Sequence, residues 1–225
     1  MTDVTIPVVA IDGPSGSGKG TIARRVAEAL GFHLLDSGAL YRLTAISARK
    51  SGIDLTDGAA VAAVARGLDA RFDSSDDGSE RIWLGNENVT LEVRKESTGA
   101  GASIVAAIPA VREALLERQR AFQRAPGLVA DGRDMGSHVF PSASVKIFLT
   151  ASAEERARRR HKQLKDKGMD VSLAALSRDI EDRDRRDTER SVAPLKPAPD
   201  ARILDSSGLS IEAVTNMVLE LVAQL

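Results

Sequence analysis

The sequence predicts an α/β protein: a parallel five-stranded sheet with helices on both faces, an inserted lobe with a small antiparallel sheet, and an arginine-rich helical lid. Three observations lead there. The chain opens as strand, glycine-rich loop, helix, strand, helix, the alternation that builds a parallel sheet. Between about Ile53 and Phe122 the pattern changes to short runs around Asp and Gly turns. Two strongly charged helical stretches follow Leu149.

Val4 to Ile11 is a β-branched apolar run closed by Asp12-Gly13 and reads as a strand; the amphipathic stretch from Lys19 to Leu30, ended by Gly31, reads as a helix. Phe32 to Leu35 makes a second strand before Asp36-Ser37-Gly38, and Ala39 to Lys50 a second helix, stopped at Gly52. In the lobe, a short helix is expected near Ala59 to Arg66. Strands follow at Leu68 to Phe72 and Ile82 to Leu84, around the turn from Asp73 to Gly78. Small residues from Ser97 to Ala107 suit a tightly packed helix, and Pro109 suits the first position of a helix running to about Gln123. Leu128 to Ala130 and Val145 to Leu149 read as buried strands. Charged helices are expected from Ala153 to about Lys167, stopped by Gly168, and from Leu173 to Arg186. Ala201 to Leu204 makes the last strand, and Ser210 caps a helix from Ile211 to Val222.

Of 225 residues, 43% are hydrophobic, enough to bury a sizeable core in a single domain, and the absence of Cys excludes disulfide scaffolds and thiol or Cys-metal chemistry. Lys and Arg number 31 against 32 Asp and Glu. That balance lacks the cationic surplus needed to hold long nucleic acid by counterion release. The N-terminal residues have neither a basic leader nor a cleavage site, and no run reaches membrane-spanning length. The expectation is a cytoplasmic monomer with no nucleic-acid or membrane partner.

The strongest motif is Gly13-Pro14-Ser15-Gly16-Ser17-Gly18-Lys19-Gly20-Thr21, set between a strand and a helix as a phosphate-binding loop requires. Its glycines let backbone N–H groups wrap a polyphosphate, the helix N-terminus adds positive potential, and Lys19 supplies a point charge. The residue after Lys19 is Gly20, so the hydroxyl that ligates Mg²⁺ in GTPase-type loops arrives one position late, at Thr21. Mg²⁺ is therefore expected to be held mainly through water, with Asp131 a candidate direct ligand. No Asn-Lys-x-Asp guanine motif is present.

The stretch from Arg156 to Arg190 holds 12 of the 31 Lys and Arg, interleaved with eight acids. Two solvated helix faces would account for it; beside a phosphate loop it also reads as a mobile lid, with Arg158, Arg160, Arg183, Arg186 and Arg190 as leading candidates. Asp131-Gly132-Arg133-Asp134 follows a strand at the carboxyl end of a sheet, where α/β proteins place ligands; an ordinary Asp-Gly turn is the competing reading. Asp36 to Arg42 repeats that placement after the second strand. His33, His138 and His161 show no metal-ligand spacing, and Trp83 reads as a packing residue.

Together these segments resemble the bacterial cytidylate kinases, within the P-loop nucleoside monophosphate kinases. Ile11 to Thr21, Leu34 to Arg42, Val111 to Leu116, Ala130 to Gly136, Arg183 to Leu195 and Leu204 to Ser206 follow that family's order. The resemblance implies a core of about 1–38, 108–155 and 192–225, a monophosphate-binding lobe of about 39–107 enlarged by an insertion at about 69–91, and a lid of about 156–191. It implies cytosine recognition by Ser37, Arg112 and Asp134, with Tyr41 in the same binding set. The sugar would be held by Ser103, Arg183 and Asp187, and the acceptor phosphate by Arg42, Arg133 and Arg190. Lys19, Arg133, Arg160 and Arg190 would act on the transferring group and Arg158 on ATP phosphates. The implied reaction is γ-phosphoryl transfer from MgATP to CMP or dCMP. Two other readings stay open on the sequence: a P-loop kinase for AMP, UMP or a small alcohol, and a nucleotide-binding regulator without catalysis.

Overall fold

The computed structural model describes residues 6–74, 80–166 and 171–224. By its internal contacts the chain divides into two compact units, Met1–Asp36 with Gln119–Leu225, and Ser37–Arg118.

The first unit is built on a five-stranded parallel sheet of β1 (Val8–Asp12), β2 (His33–Asp36), β6 (Leu128–Gly132), β7 (Val145–Thr150) and β8 (Arg202–Asp205), in the order β2-β6-β1-β7-β8. β1 lies at the centre because Val9, Ala10 and Ile11 must be covered on both faces; all five of its residues are buried. On one face β1 packs with α1 (Lys19–Leu30) and α9 (Ile211–Val222). Ile11, Ile147 and Leu149 meet Ile22, Val26, Val214 and Val218 there. Truncating any of the fully buried sheet residues to Ala would cost about 2–5 kcal/mol. Helix α1 ends where Gly31 takes a left-handed conformation and Phe32 N–H reaches the Ala27 carbonyl.

Two helices rich in arginine complete this unit, α7 (Ala153–Lys165) and α8 (Leu173–Glu189). Ser152 caps α7 through the Glu155 N–H, and Glu154 and Glu155 place negative charge in its first turn. Ser172 caps α8 and Ser210 caps α9 in the same way.

The second unit contains α2 (Ser37–Lys50), α3 (Gly58–Arg66), the antiparallel strands β3 (Ala70–Ser74), β4 (Glu80–Leu84) and β5 (Glu87–Asn88), then α4 (Thr90–Val93) and α5 (Glu96–Val105). Helix α6 (Pro109–Arg120) begins at the proline, as expected, and runs to the boundary between the units. Helix α5 lies close against α2: a Cβ at Gly101 would come within 2.8 Å of an Arg49 guanidinium nitrogen.

Several boundaries differ from the sequence expectation. The first strand starts at Val8 rather than Val4: Pro7 has no N–H to give and contributes only its carbonyl, which accepts from Leu128 N–H, and Val4 and Thr5 lie outside the described residues. β2 is His33–Asp36, and the next helix starts at Ser37, two residues early, with no linker between. β3 starts at Ala70 rather than Leu68, and β5 and α4 have no counterpart in the periodicity because each is a single short turn's worth of chain. The helix from Pro109 ends at Arg120, not Gln123. Asp131 and Gly132, read as a turn, are the last residues of β6, paired with Ile11 and Asp12 of β1. Helix α8 continues past Arg186 to Glu189. The expected stop at Gly168 and the turn residues Ser75 to Gly78 lie outside the described residues.

Candidate active site

The loop after β1 is tightly wound. Gly13 has φ +154°, and a Cβ there would lie 2.0 Å from the Leu149 carbonyl oxygen, so no larger residue fits. Ser17 N–H turns back to the Pro14 carbonyl, and Gly18 forms the left-handed N-cap of α1. Lys19, the first residue of α1, is buried and points back into the loop, its Nζ donating to Pro14 O at 3.1 Å. Loop and lysine thus meet at the start of α1.

Two carboxylates lie beneath it. Asp12 accepts hydrogen bonds from the backbone N–H groups of Met135 (2.7 Å) and Gly136 (2.8 Å). Burial nonetheless raises its pKa to about 6 from 3.8. Asp131, at the end of β6, is buried with its Oδ1 making no hydrogen bond. Burial pushes the Asp131 carboxyl up, against the pull of Lys19 and Arg133, and pushes the Lys19 ammonium down, helped by Arg133. Gly20 makes the approach of Asp131 possible: a Cβ at position 20 would sit 3.1 Å from Asp131 Oδ2. The sequence oddity of a glycine after the loop lysine thus has a physical cause. The space a hydroxyl side chain would take belongs to a carboxylate.

Beyond β6 the chain tightens into one π-helical turn, Met135–Val139, in which His138 and Val139 N–H both meet the Asp134 carbonyl. Sequence reasoning missed this turn, and missed Asp12 as its anchor, because strand-closing Asp-Gly is common turn chemistry. Arg133 Nε donates to Asp187 Oδ2 at 3.0 Å, and Arg190 Nη2 to Asp134 Oδ1 at 3.3 Å. Both pairs are largely buried. Asp187 and Asp131 hold the Arg133 guanidinium above its ordinary pKa despite burial; burial and Arg133 hold Arg183 below its own. Arg190 Nε also reaches the Ala193 carbonyl; Ala193 is a non-glycine residue at φ +49°. A left-handed alanine costs roughly 1–2 kcal/mol, and the bond from Arg190 helps to hold it.

The remaining predicted residues are distributed as follows. Arg158 lies on the exposed side of α7 paired with Glu154 (2.6 Å), and Arg160 Nη1 reaches Gln163 Oε1 at 3.3 Å. Arg186 Nε donates to Asp182 O. Within the second unit, Ser37 is buried at the start of α2, Arg112 is buried with its guanidinium 5.8 Å from the Tyr41 ring centre, and Arg42 Nη1 donates to Val93 O at 2.8 Å. Ser103 Oγ is buried without a hydrogen-bond partner. Two arginines absent from the sequence expectation, Arg156 and Arg159, bind loop carbonyls directly: Arg156 Nη1 donates to Ser15 O (2.9 Å) and Arg159 Nη1 to Ser17 O (3.3 Å). A cavity of about 390 Å³ opens beside the loop, lined by Gly20, Thr21, Arg24, Leu34, Asp36 and Asp131 among others. Among the described residues no group of His, Cys, Asp and Glu could hold a metal ion alone.

A glycine-rich loop with a buried lysine at the carboxyl end of a central parallel strand defines a P-loop phosphate-binding protein. Comparison narrows the class. Residues 9–224 match the cytidylate kinase family model, and the chain belongs to that family. It is 60% identical over 218 residues to the cytidylate kinase of Pseudomonas paraeruginosa, covering 96% of this chain and 95% of that protein. It is equally 60% identical over 219 residues to that of Stutzerimonas stutzeri, covering 97% and 96%. In fold it is similar to an uncharacterized protein from Eubacterium ventriosum, with a TM-score of 0.50 at 10% identity over 97% of this chain and 99% of that one. The chain is accordingly an enzyme, a phosphotransferase with a phosphate group as acceptor.

Proposed function

We propose that this protein transfers the γ-phosphoryl group of ATP to the phosphate of CMP or dCMP, giving ADP and CDP or dCDP. The observation that carries the reading is the pair of buried ion pairs, Arg133–Asp187 and Arg190–Asp134, set in the same unit as the Lys19 loop. Two polyanions must be brought into line, and buried guanidinium groups offset their repulsion and the charge of a loose transition state. The acceptor phosphate, with a second pKa of about 6, is already an anion near neutral pH, so the chemistry needs no general base.

Gly13 to Thr21 take the donor phosphates, with Lys19 leaving Pro14 O for a phosphate oxygen. Arg42, Arg133 and Arg190 take the acceptor phosphate, Arg158 and Arg160 act from the lid, and Ser103, Arg183 and Asp187 hold the sugar. Cytosine is assigned to Ser37, Arg112 and Asp134, with Tyr41 beside Arg112. The Asp134 carboxylate accepts from the exocyclic amino group; the carbonyl of uracil at that position would set acceptor against acceptor. In this assignment residues 39–107 form the monophosphate lobe and 156–191 the lid, whose closure excludes water.

Mg²⁺ fits the residues present: Asp131 Oδ1 is a buried carboxylate oxygen with no hydrogen-bond partner, a suitable ligand for a hard cation held otherwise through water. When bound, it neutralises charge on the phosphoryl oxygens. Among the described residues no helix is long and apolar enough to cross a membrane. A cytoplasmic monomer acting on free nucleotides completes the reading.

The test is ADP production by the purified protein with MgATP and, separately, CMP, dCMP, UMP, AMP and GMP, beside a control without acceptor. Production confined to CMP and dCMP supports the reading. Equal rates with UMP or AMP would sink the base assignment, and ADP formed regardless of acceptor would point to an ATPase.

A further inference from the structure

One buried cation holds the phosphate loop without being needed to touch a nucleotide. Arg156, on the first turn of α7, spreads its guanidinium in three directions. Nε donates to the Ala151 carbonyl just past β7 at 3.0 Å, Nη1 to the Ser15 carbonyl in the loop at 2.9 Å, and Nη2 pairs with Asp184 Oδ2 of α8 at 2.6 Å. The loop also packs on this residue: a Cβ at Gly16 would lie 3.2 Å from the Arg156 Cβ.

Asp184 has a place of its own. It stands one turn before Asp187 on α8, so the two carboxylates share a side of the helix. One takes Arg156 and through it the loop; the other takes Arg133 at the end of β6. The second oxygen of Asp184, Oδ1, is buried and makes no hydrogen bond among the described residues, so the orientation of this carboxylate rests on Arg156. The planar guanidinium reaches these three acceptors from three separate nitrogens, whereas a lysine ammonium has all its donors on one atom and cannot span them.

We propose that Arg156 and Asp184 are positioning residues that set the donor-phosphate loop against α8, the helix that carries Arg183 and leads into Arg190. The inference rests on the reaction proposed above, in which the loop takes the donor and those arginines the acceptor. Neither residue binds substrate in this scheme. Their loss disturbs in-line alignment more than either affinity, and a misplacement of about 1 Å is worth about a hundredfold in rate.

The experiment is steady-state kinetics with both MgATP and CMP varied, on the wild-type protein and on Asp184→Asn, Asp184→Glu and Arg156→Lys, with thermal melts of each. Asp184→Asn is expected to lower kcat about tenfold or more while both KM values stay within about threefold. Asp184→Glu recovers part of the loss, and Arg156→Lys resembles Asp184→Asn. The proposal is overturned if Asp184→Asn and Arg156→Lys both keep kcat within about twofold, or if their losses merely follow the folded fraction. Should one variant not fold, the other decides. A wild-type protein that makes no ADP in response to CMP would remove the reaction and the inference together, whereas active wild type with unaltered variants removes the inference alone.

Discussion

Replacing Gly13 by Ala puts a methyl group where the Leu149 carbonyl already is. The added carbon would stand 2.0 Å from that oxygen, while ordinary contact begins at 3.4 Å, so one of them must move by about 1.4 Å. Neither moves freely. Leu149 is in β7, fully buried and paired across to β8, and Gly13 directly follows Asp12, which pairs with Phe148. The φ of +154° adds backbone strain of roughly 1–3 kcal/mol for a residue with a Cβ. The sum of strain and lost sheet packing is about 4 kcal/mol or more, a fall in Tm of roughly 8 °C or more for a chain of this size. What remains folded carries a loop displaced by about 1 Å, and turnover should fall about a hundredfold. Gly31→Ala is the control. Its φ is +65°, but nothing lies within 4 Å of the new methyl, so it should cost only about 1–2 kcal/mol and leave turnover alone. Melting curves and ADP production measured side by side decide it: Gly13→Ala behaving like Gly31→Ala would refute the close-approach argument.

Lys19→Ala should lower turnover by orders of magnitude with the fold retained, checked by kcat and circular dichroism; near-normal kcat would take Lys19 out of the chemistry. Asp134→Ala should raise the KM for CMP far more than that for ATP, and equal changes would mark Asp134 as structural. Asp12 predicts a pH dependence of stability. Its pKa is raised from 3.8 to about 6 on folding, so the folded state binds the proton more tightly, and a contribution of about 3 kcal/mol present below pH 4 is lost as pH rises through 6. In urea unfolding, the stability of the wild type relative to Asp12→Asn should fall between pH 4 and pH 7; a constant difference would contradict the assignment.

The sequence made some parts of this molecule legible and hid others for definable reasons. The loop and α1 were legible because glycine spacing, the lysine and an amphipathic period all agree within one short stretch. Helix α9 was legible to the residue, from Ser210 as its cap to Val222. The end of β6 was not, since Asp131-Gly132 has the composition of a turn and becomes strand only through pairing with β1 and β2. The arginines of α7 show the limit of composition. Arg156, Arg158, Arg159 and Arg160 look alike in sequence, yet helical rotation sends Arg156 and Arg159 to the loop carbonyls and Arg158 to solvent. A capped start at Ser152 fixes that rotation and was the signal available for telling them apart. Gly20 was noticed as a departure, but its cause, the nearness of Asp131, joins residues more than a hundred positions apart.

The strand order has a consequence for how the molecule comes into being. β1 does not pair with β2; both pair with β6, whose first residue is Leu128. During synthesis, therefore, no hydrogen-bonded pair of the main sheet can form until more than half the chain has left the ribosome. The segment that will hold phosphate is among the first residues made and among the last to find its neighbours. Ser37–Arg118, a compact unit by itself, is free to gather in the meantime. β6 is the keystone of assembly: the strand that delivers Asp131 and leads into Arg133 and Asp134 is also the one whose arrival allows a sheet to exist.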